Sequence, residues 1–337
     1  MPSLERESHR IVIAGASSLL GAELKLLLEE SRFAGWDLRL VDEEVAAGTL
    51  TEAGGEPAVI QPVEEGSFEK ARLVFFAGSR EFVERNFKAA LAAGAVVINF
   101  TGKVRTKEES QLAYFPKLDE FRGTPSTPGA PHFWVISAPG VAAASLSLGL
   151  KPLGLKRMSI TFLRPVSEAG RPGIEELESQ TKQLLSFQNA GQTVFDAQVA
   201  FAVSDRFGVG SRENLSAYET SLREEVWCCT GTPGGIQPAI RVLHAPVFYG
   251  YTFSASAELD GSATAEQVRS SCAAAGFSLA EKGAIVGNLT SAGENAIQLA
   301  QPEADPSRPG SWWFWGAADN IRLPAWNAMK LAEKLLP

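Results

Sequence analysis

The chain contains little cysteine. Three of its 337 residues are cysteines, and two of them, Cys228 and Cys229, are adjacent. Neighbouring cysteines rarely form an unstrained disulfide, and three cysteines cannot all pair within one chain. This scarcity argues against a disulfide-stabilised secreted protein and predicts a reducing compartment. We interpret Cys228, Cys229 and Cys272 as core or surface thiols.

The sequence also lacks long apolar runs and an excess of basic charge. No uninterrupted apolar stretch reaches the ~18 residues of a membrane span. Residues 1–10 are polar, unlike a signal peptide. With 39 acidic and 31 basic residues the formal net charge is -8, which disfavours binding to nucleic acid or anionic membranes. We therefore expect a soluble, cytoplasmic protein with no nucleic-acid or membrane partner.

The first hundred residues alternate between predicted strands and helices. Short apolar runs occur at 11–13, 38–41, 73–77 and 96–100, and apolar residues recur at helical spacing between them. This alternation predicts an α/β fold with a Rossmann-type doubly wound parallel sheet. Since a single core rarely exceeds ~250–300 residues, we expect a second domain as well.

The character of the chain changes after a proline-rich stretch at 124–139. An amphipathic segment at 175–185 predicts a helix. The alternating segment 243–259 and the aromatic segment 312–316 predict strands of a mostly antiparallel sheet, and a final helix begins near Pro324. We predict that residues 1–137 and 319–337 form the Rossmann-type domain, and that residues 138–318 form an α+β domain.

A glycine loop follows the first predicted strand and precedes a helix. It consists of Gly15-Ala16-Ser17-Ser18-Leu19-Leu20-Gly21. In that context the backbone N–H groups of such a loop face phosphates, and the helix N-terminus adds favourable partial charge. Ser18 replaces the glycine usual in the middle of the loop. Its side chain either narrows the approach of a pyrophosphate or adds a hydrogen bond to it.

Asp42 lies 21 residues after Gly21, at the end of the second predicted strand. An acidic residue there accepts hydrogen bonds from an adenosine ribose and repels a 2′-phosphate, so NAD should be preferred over NADP. Ala77 and Gly78, at the end of the third strand, complete the residues expected to line the cofactor site. In the alternative interpretation the loop is only an inherited strand–helix turn, and Asp42 is a solvated surface acid. No metal is expected.

Four segments resemble aspartate-semialdehyde dehydrogenases, and most closely the Usg-like branch that lacks the active-site cysteine. They occur in the family's order over nearly the whole chain: the glycine loop 15–21, the turn and helix 166–181, the strand 245–250 and the segment 318–322. The resemblance implies an NAD(P)-binding domain and a homodimer formed through the sheet of the second domain, where the strand around Val247 and Phe248 would suit an interface. It also places Arg105 against the substrate phosphate and Asn320 near the nicotinamide.

The chemistry of that family depends on a cysteine thiolate that attacks the substrate carbonyl, an acid/base histidine, a glutamine that positions the cysteine, and substrate-binding arginines. The flanking residues place the cysteine at Val141 and the glutamine at Arg164. They place the substrate arginine at His244 and the acid/base histidine at Tyr251. An isopropyl group has no lone pair, so the resemblance implies that no acyl-enzyme forms and that none of these residues catalyses the family's reaction.

Three hypotheses follow. The first is an inactive homologue that binds NAD or an acidic metabolite and acts as a sensor or partner subunit. The second is an enzyme, either a residual NAD(P)-dependent semialdehyde dehydrogenase or a divergent oxidoreductase that uses Tyr251 and His244. The third is a structural or interaction protein with an unused cofactor cleft. The glycine loop and Asp42 favour the first over the third, and Val141 argues against the second.

Overall fold

The chain forms two compact units. A computed structural model describes residues 9–53, 55–104, 111–123, 132–231, 236–261 and 263–336. The first unit comprises Met1–Ile136 and Pro324–Pro337, and the second comprises Ser137–Leu323. Within the described ranges, no helix has the length and apolar character needed to cross a membrane.

The first unit contains the predicted strands and helices together with further short elements that the sequence did not predict. Its elements are β1 (Arg10–Ala14), α1 (Leu19–Glu29), β2 (Asp37–Asp42), β3 (Leu50–Ala53), β4 (Glu56–Val59), β5 (Gln61–Pro62), β6 (Ala71–Phe76), α2 (Arg80–Ala92), β7 (Val96–Asn99), β8 (Leu112–Tyr114), α3 (Leu118–Arg122) and β9 (His132–Val135). Seven strands form one sheet in the order β5-β2-β1-β6-β7-β9-β8, and its pairs are parallel.

Strand periodicity gives this sheet two buried faces. Ile11 and Ile13 of β1 join a cluster with leucines of α1 and with the C-terminal residues 325–336. Val12 and Ala14, which point the other way, join a cluster with phenylalanines of α2. Because successive strand residues alternate between faces, helices must cover both sides of such a sheet. The predicted doubly wound fold is therefore confirmed.

The second unit is built around a mixed sheet. Its elements are α4 (Ala138–Leu150), β10 (Arg157–Arg164), α5 (Gly170–Leu185), α6 (Leu215–Thr230), β11 (Ala239–His244), β12 (Tyr251–Glu258), α7 (Ala265–Ala274), β13 (Phe277–Leu279), β14 (Ile297–Leu299), β15 (Glu303–Ala304), β16 (Ser311–Ala318) and α8 (Arg322–Leu335), whose residues from Pro324 onward belong to the first unit. The strand order is β11-β10-β12-β16-β14-β13, with β15 paired to β16.

One predicted strand of this unit is wrong. The segment 243–259 does not form a single strand, since β11 ends at His244 and β12 begins at Tyr251. Pro246 has no backbone N–H to donate, and Gly250 has φ +83°, a conformation that favours glycine. The chain therefore turns between them, so that β11 runs parallel to β10 while β12 runs antiparallel to it.

Candidate functional site

Gly15 and Gly21 hold the glycine loop close to its neighbours. Gly15 has φ +93°, and a Cβ atom there would lie 2.2 Å from the backbone nitrogen of Gly78. A Cβ at Gly21 would lie 2.4 Å from the carbonyl oxygen of Gly15. Both positions therefore require glycine, Gly15 for the tight turn and Gly21 for the close approach of the helix to the strand.

Most backbone N–H groups of the loop are already used. Those of Gly15 and Ala16 donate to the carbonyl of Val41, and that of Ser17 donates to Asp42 Oδ2 at 2.7 Å. The Ser18 hydroxyl caps α1 by accepting from Gly21 N at 2.9 Å. The first-turn N–H groups of α1, which by helix geometry have no intrahelical partner, are the donors that face outward.

Asp42 is buried rather than solvated. Its side chain is 6% exposed, and besides Ser17 N it accepts from the backbone N–H of Glu43 at 2.8 Å. The interpretation of Asp42 as a surface acid is therefore wrong. Since each carboxylate oxygen has a second lone pair, the group can still accept from a further donor.

A cleft of about 690 Å³ opens beside Asp42, lined mainly by acidic and apolar side chains. Its lining residues include Asp42, Glu43, Glu44 and Glu64, while Arg85 is the sole basic residue among them and pairs with Glu43 at 2.5 Å. A cleft with this excess of negative charge is unfavourable for a doubly charged phosphate.

The four residues to which the sequence resemblance assigns the family's catalytic positions all lie in the second unit, and three of them form a row across the sheet. Arg164 of β10 pairs with His244 of β11. On the other side Leu163 pairs with Thr252 in antiparallel register, which places Tyr251 next to Arg164. Val141 lies in the first turn of α4 and is 7% exposed. The grouping of Arg164, His244 and Tyr251, which the sequence predicts only through the resemblance, is present.

Arg164 is a buried cation held by an ion pair. Its side chain is 5% exposed, and Nη2 lies 2.6 Å from Glu213 Oε2. Its guanidinium carbon lies 5.1 Å from the centre of the Tyr218 ring. Although burial opposes the charge, Tyr251, Glu168 and Glu213 together raise the pKa of Arg164 above its ordinary value. The position therefore carries a fixed positive charge.

Beside this row, Asn320 is hydrogen-bonded to the turn after β10 and to the turn before β12. Asn320 Nδ2 donates to Glu168 Oε1 at 2.8 Å and lies 3.1 Å from Ser167 Oγ. Asn320 Oδ1 accepts from Gly250 N at 2.9 Å. Burial, opposed by Arg164, raises the pKa of Glu168 above its ordinary value. Glu168 therefore holds a proton more firmly than an exposed glutamate.

His244 is a structural histidine in this fold. Its ring is buried and its Nε2 lies 3.1 Å from the carbonyl oxygen of Val199, which requires Nε2 to carry the hydrogen. The ring also packs near those of Phe195 and Phe207. Burial lowers the pKa of His244, so the ring is held neutral.

This burial predicts a pH dependence of stability. The unfolded histidine titrates near 6.5, whereas the folded one resists protonation, so the unfolded state binds more protons as pH falls below that value. Stability should therefore decline from pH 6.5 downward. His244→Gln, which keeps an N–H donor, should reduce this slope by up to about 1.4 kcal/mol per pH unit. Urea unfolding at pH 5, 6 and 7 measures the difference, and identical slopes in the two proteins would contradict it.

The Tyr251 and Tyr218 phenols retain their protons. Burial and the charge of Glu168 raise both pKa values well above 10. Neither phenol can therefore accept a proton as a general base near neutral pH. Both phenols can act as hydrogen-bond donors.

Glu225 places a carboxylate at the start of α4, beside the turn that holds Val141. The Ser137 hydroxyl donates to Glu225 Oε2 at 2.6 Å and the Ser137 backbone N–H at 3.1 Å. A Cβ at Gly140 would lie 2.4 Å from the same oxygen. The partly positive helix N-terminus, which favours anions, is therefore already occupied by a side chain of this protein.

Sequence reasoning missed several of these residues. They are Glu168, which lies in the turn after β10, and Glu213, Tyr218 and Glu225, which lie in or just before α6. The one available signal was the Val166-Ser167 turn, which places Glu168 directly after β10. Arg105, the predicted phosphate ligand, lies outside the described residues.

The cysteines lie away from this row in sequence and all three are free thiols, with Cys228 exposed and Cys229 and Cys272 buried. Burial raises the pKa of Cys272 to about 12, which leaves almost no thiolate near neutral pH. Across the part of the chain that the structure describes, no cluster of three or more His, Cys, Asp or Glu side chains is arranged to hold a metal ion.

Known protein families and individual proteins resemble this chain over most of its length. Residues 10–145 match the NAD-binding domain of semialdehyde dehydrogenases, and residues 148–323 match their dimerisation domain. A USG-1 protein homolog from Azotobacter vinelandii is 26% identical, covering 97% of both chains. An aspartate-semialdehyde dehydrogenase from Rickettsia bellii is 24% identical, covering 98% of both.

Solved structures agree with these sequence matches. A probable aspartate-semialdehyde dehydrogenase from Pseudomonas aeruginosa superposes with a TM-score of 0.83 at 25% identity, over 97% of this chain and 98% of that one. Aspartate semialdehyde dehydrogenase II from Vibrio cholerae, in complex with ASA, shares the fold with a TM-score of 0.83 at 24% identity, over 98% of both chains. Since the two domain matches cover nearly all of the described chain, the protein belongs to the semialdehyde dehydrogenase family.

Proposed function

We propose that this protein is an aspartate-semialdehyde dehydrogenase homologue that binds NAD, does not catalyse the dehydrogenase reaction, and acts as a sensor or partner subunit. The proposal rests on the side chains at the positions that the resemblance assigns to catalysis. Val141 offers no nucleophile, Arg164 is an ion-paired cation, and His244 is a buried, neutral residue whose Nε2 is hydrogen-bonded to Val199. None of them supplies the thiolate that the family's reaction requires.

The start of α4 also opposes the family's chemistry. An acyl phosphate or a carboxylate that approached Val141 would meet the Glu225 carboxylate, which is already bound to Ser137. Like charges at such short range raise the free energy of binding. Loss of the thiol is therefore accompanied by a local electrostatic field that disfavours an anionic substrate.

Restoring the thiol alone should not restore turnover. We expect Val141→Cys to show no NADH or NADPH formation from aspartate semialdehyde and phosphate above that of the unmodified protein, because Arg164, Tyr251 and Glu225 would be unchanged. A spectrophotometric assay at 340 nm, with an active family member as positive control, measures this. Turnover by the unmodified protein would overturn the proposal, and turnover by Val141→Cys alone would show that the surrounding site is intact.

NAD is the cofactor that the first unit suits better. The loop packs closely against the end of β6, since a Cβ atom at Gly15 would lie 2.2 Å from Gly78 N. Asp42 and its acidic neighbours line the adjoining cleft, where a ribose hydroxyl can donate to a carboxylate and a 2′-phosphate is repelled. Ala77 lies next to Gly78 at the end of β6, and these residues with the loop 15–21 would hold the dinucleotide.

Calorimetric titration with NADH and NADPH tests this assignment. We expect a dissociation constant for NADH of about 10 μM, equivalent to roughly -7 kcal/mol, and weaker binding of NADPH. Asp42→Asn keeps an acceptor for Ser17 N but removes the charge. It should weaken NADH binding by about 1–2 kcal/mol and reduce the ratio of NADH affinity to NADPH affinity. No heat with either nucleotide would favour the structural role with an unused cleft.

The second unit supports a homodimer. On the outward face of its sheet, Trp313 and Trp315 lie opposite Ser256 and Ser254 in the neighbouring strand. The two tryptophans are 47% and 40% exposed, and large exposed aromatic surface on a sheet is typical of an interface. Light scattering, which separates one 36.0 kDa chain from two, tests the assembly. The free cysteines support a cytoplasmic location.

A further inference from the structure

Another cavity lies in the first unit, and we call it the hairpin pocket. It is lined by Ile11 at the start of β1, by residues of segment 28–38, and by Ala53 and segment 56–58 of the β3–β4 hairpin. Its volume is about 410 Å³. Voids between packed side chains rarely exceed the size of a water molecule, whereas ligand pockets measure about 300–1,000 Å³. The hairpin pocket therefore has the dimensions of a small-molecule site.

The hairpin pocket lies at the end of the sheet away from the glycine loop. Asp37 and Leu38, which line it, begin β2, and Asp42 ends that strand. Because a strand advances about 3.3 Å per residue, the five steps from Asp37 to Asp42 span about 16 Å. A molecule in the hairpin pocket would therefore not occupy the cleft beside Asp42.

The floor of the hairpin pocket is apolar and partly aromatic. Ile11, Leu28 and Phe33 are buried members of the cluster that α1 forms with the sheet, and Trp36 packs against that cluster while remaining partly exposed. The Phe33 and Trp36 rings meet edge to face, with 5.0 Å between their centres. Such a pair offers a surface for the apolar or aromatic body of a ligand.

The charged side chains at the hairpin pocket are carboxylates. Glu29, Asp37 and Glu56 line it, and none of the lining residues that the structure describes is basic. Arg10, outside the lining, pairs with Asp37 at 2.6 Å and so compensates one of the three charges. An ionised carboxylate accepts hydrogen bonds and cannot donate them, and an aromatic ring face attracts a cation. A ligand that matches these walls is a cation with N–H donors.

We propose that the hairpin pocket binds a small organic amine, with its ammonium group paired to Glu56 and its apolar body against Phe33 and Trp36. An ammonium group supplies three donors and a positive charge, whereas an anion would be repelled by the carboxylates. A neutral apolar molecule would use the floor of the pocket but gain nothing from its charges. The site is separate from the dinucleotide cleft, so the proposal stands whether or not NAD binds.

Calorimetric titration of the full chain with phenethylamine, without nucleotide, tests the site. We expect saturable binding, because this compound joins an ammonium group to a phenyl body. 2-Phenylethanol, in which a hydroxyl replaces the ammonium, should bind about tenfold more weakly, and 3-phenylpropionate, which carries a carboxylate, should give no saturable heat. Absence of saturable phenethylamine binding would overturn the proposal. Equal affinity for phenethylamine and 2-phenylethanol would overturn the choice of an amine.

Variants locate the binding site. Glu56→Gln should weaken phenethylamine binding about fivefold or more, because the counter-ion is lost. Glu52→Gln is the matched control: Ala53 pairs with Glu56 across the hairpin, and strand alternation points Glu52 to the opposite face. Its affinity should be unchanged. An equal loss in both variants would mean that only the net charge of the chain attracts the amine, and unchanged affinity in Glu56→Gln would remove Glu56 as counter-ion; either result overturns the proposal.

Ala58→Leu fills the hairpin pocket from the hairpin side, since Ala58 lines the cavity and packs against the apolar cluster. It should abolish saturable binding of phenethylamine and of 2-phenylethanol alike. Full binding by a folded Ala58→Leu protein would place the amine elsewhere and overturn the site. If this variant fails to fold, the comparison of Glu56→Gln with Glu52→Gln, both at exposed positions, decides the matter.

Discussion

Arg164→Ala should destabilise the second unit by about 3 kcal/mol, because it leaves the Glu213 and Glu168 carboxyls without their cation in a largely buried setting. Removal of one partner of a buried pair typically destabilises by about 3–5 kcal/mol. The Glu213 side chain is 27% exposed, and water can therefore partly replace the lost guanidinium. For that reason the lower end of the range is expected. The midpoint of urea unfolding measures the change.

A matched ion pair on the surface provides the control. Lys156 Nζ lies 3.0 Å from Asp260 Oδ1, with the two side chains 53% and 62% exposed. Lys156→Ala should change stability by less than about 0.5 kcal/mol, as exposed pairs generally do. The double variant Arg164→Ala/Glu213→Ala should recover part of the loss, since it removes one uncompensated charge. A change below about 1 kcal/mol for Arg164→Ala would show that the pair is solvated rather than buried.

Gly15→Ala should prevent nucleotide binding and destabilise the first unit by about 3 kcal/mol or more. The alanine would have to adopt a left-handed φ, and its Cβ would overlap with the backbone of Gly78. The added Cβ would lie 2.2 Å from Gly78 N and 2.6 Å from the Ala77 carbonyl carbon. Both neighbours are backbone atoms at the end of a central strand and cannot swing aside. Thermal unfolding and NADH titration of the variant measure the two effects.

Gly94→Ala is a control that isolates the effect of the left-handed φ from the effect of steric overlap. Gly94 also has a positive φ, +76°, but nothing lies within 4 Å of the position that its Cβ would take. Gly94→Ala should therefore destabilise by about 1 kcal/mol, the backbone contribution alone. If Gly15→Ala were as mild as Gly94→Ala, the close contact between the loop and Gly78 would not exist in solution.

The local features of the fold were predictable from the sequence. The glycine spacing and the apolar runs determine the loop and strands of the first unit through interactions between near neighbours, and the structure has them at the expected positions. Whether Asp42 is solvated could not be predicted, because its burial depends on the amides of Ser17 and Glu43 approaching it. The break between β11 and β12 was detectable from Pro246, but the alternating pattern concealed it.

The surroundings of the row formed by Arg164, His244 and Tyr251 could not be predicted at all. Glu213 meets Arg164 across 49 positions in the chain, and Glu225 meets Ser137 across 88. Contacts over such distances are determined by tertiary packing, and one sequence without relatives offers no pattern that reveals them. The resemblance directed attention to Val141, Arg164, His244 and Tyr251, and only the coordinates show what surrounds them.

The first unit is discontinuous, since the chain leaves it at Ile136 and re-enters it at Pro324. The last helix supplies Ala328, Leu331 and Leu335 to the same apolar cluster as Leu24 and Leu27 of α1. During synthesis, part of that face therefore stays uncovered until residues 325–336 leave the ribosome, although the seven strands are made long before. Folding of the first unit is thus completed only after the second unit has been synthesised, and the exposed apolar surface in the interval is a target for chaperones.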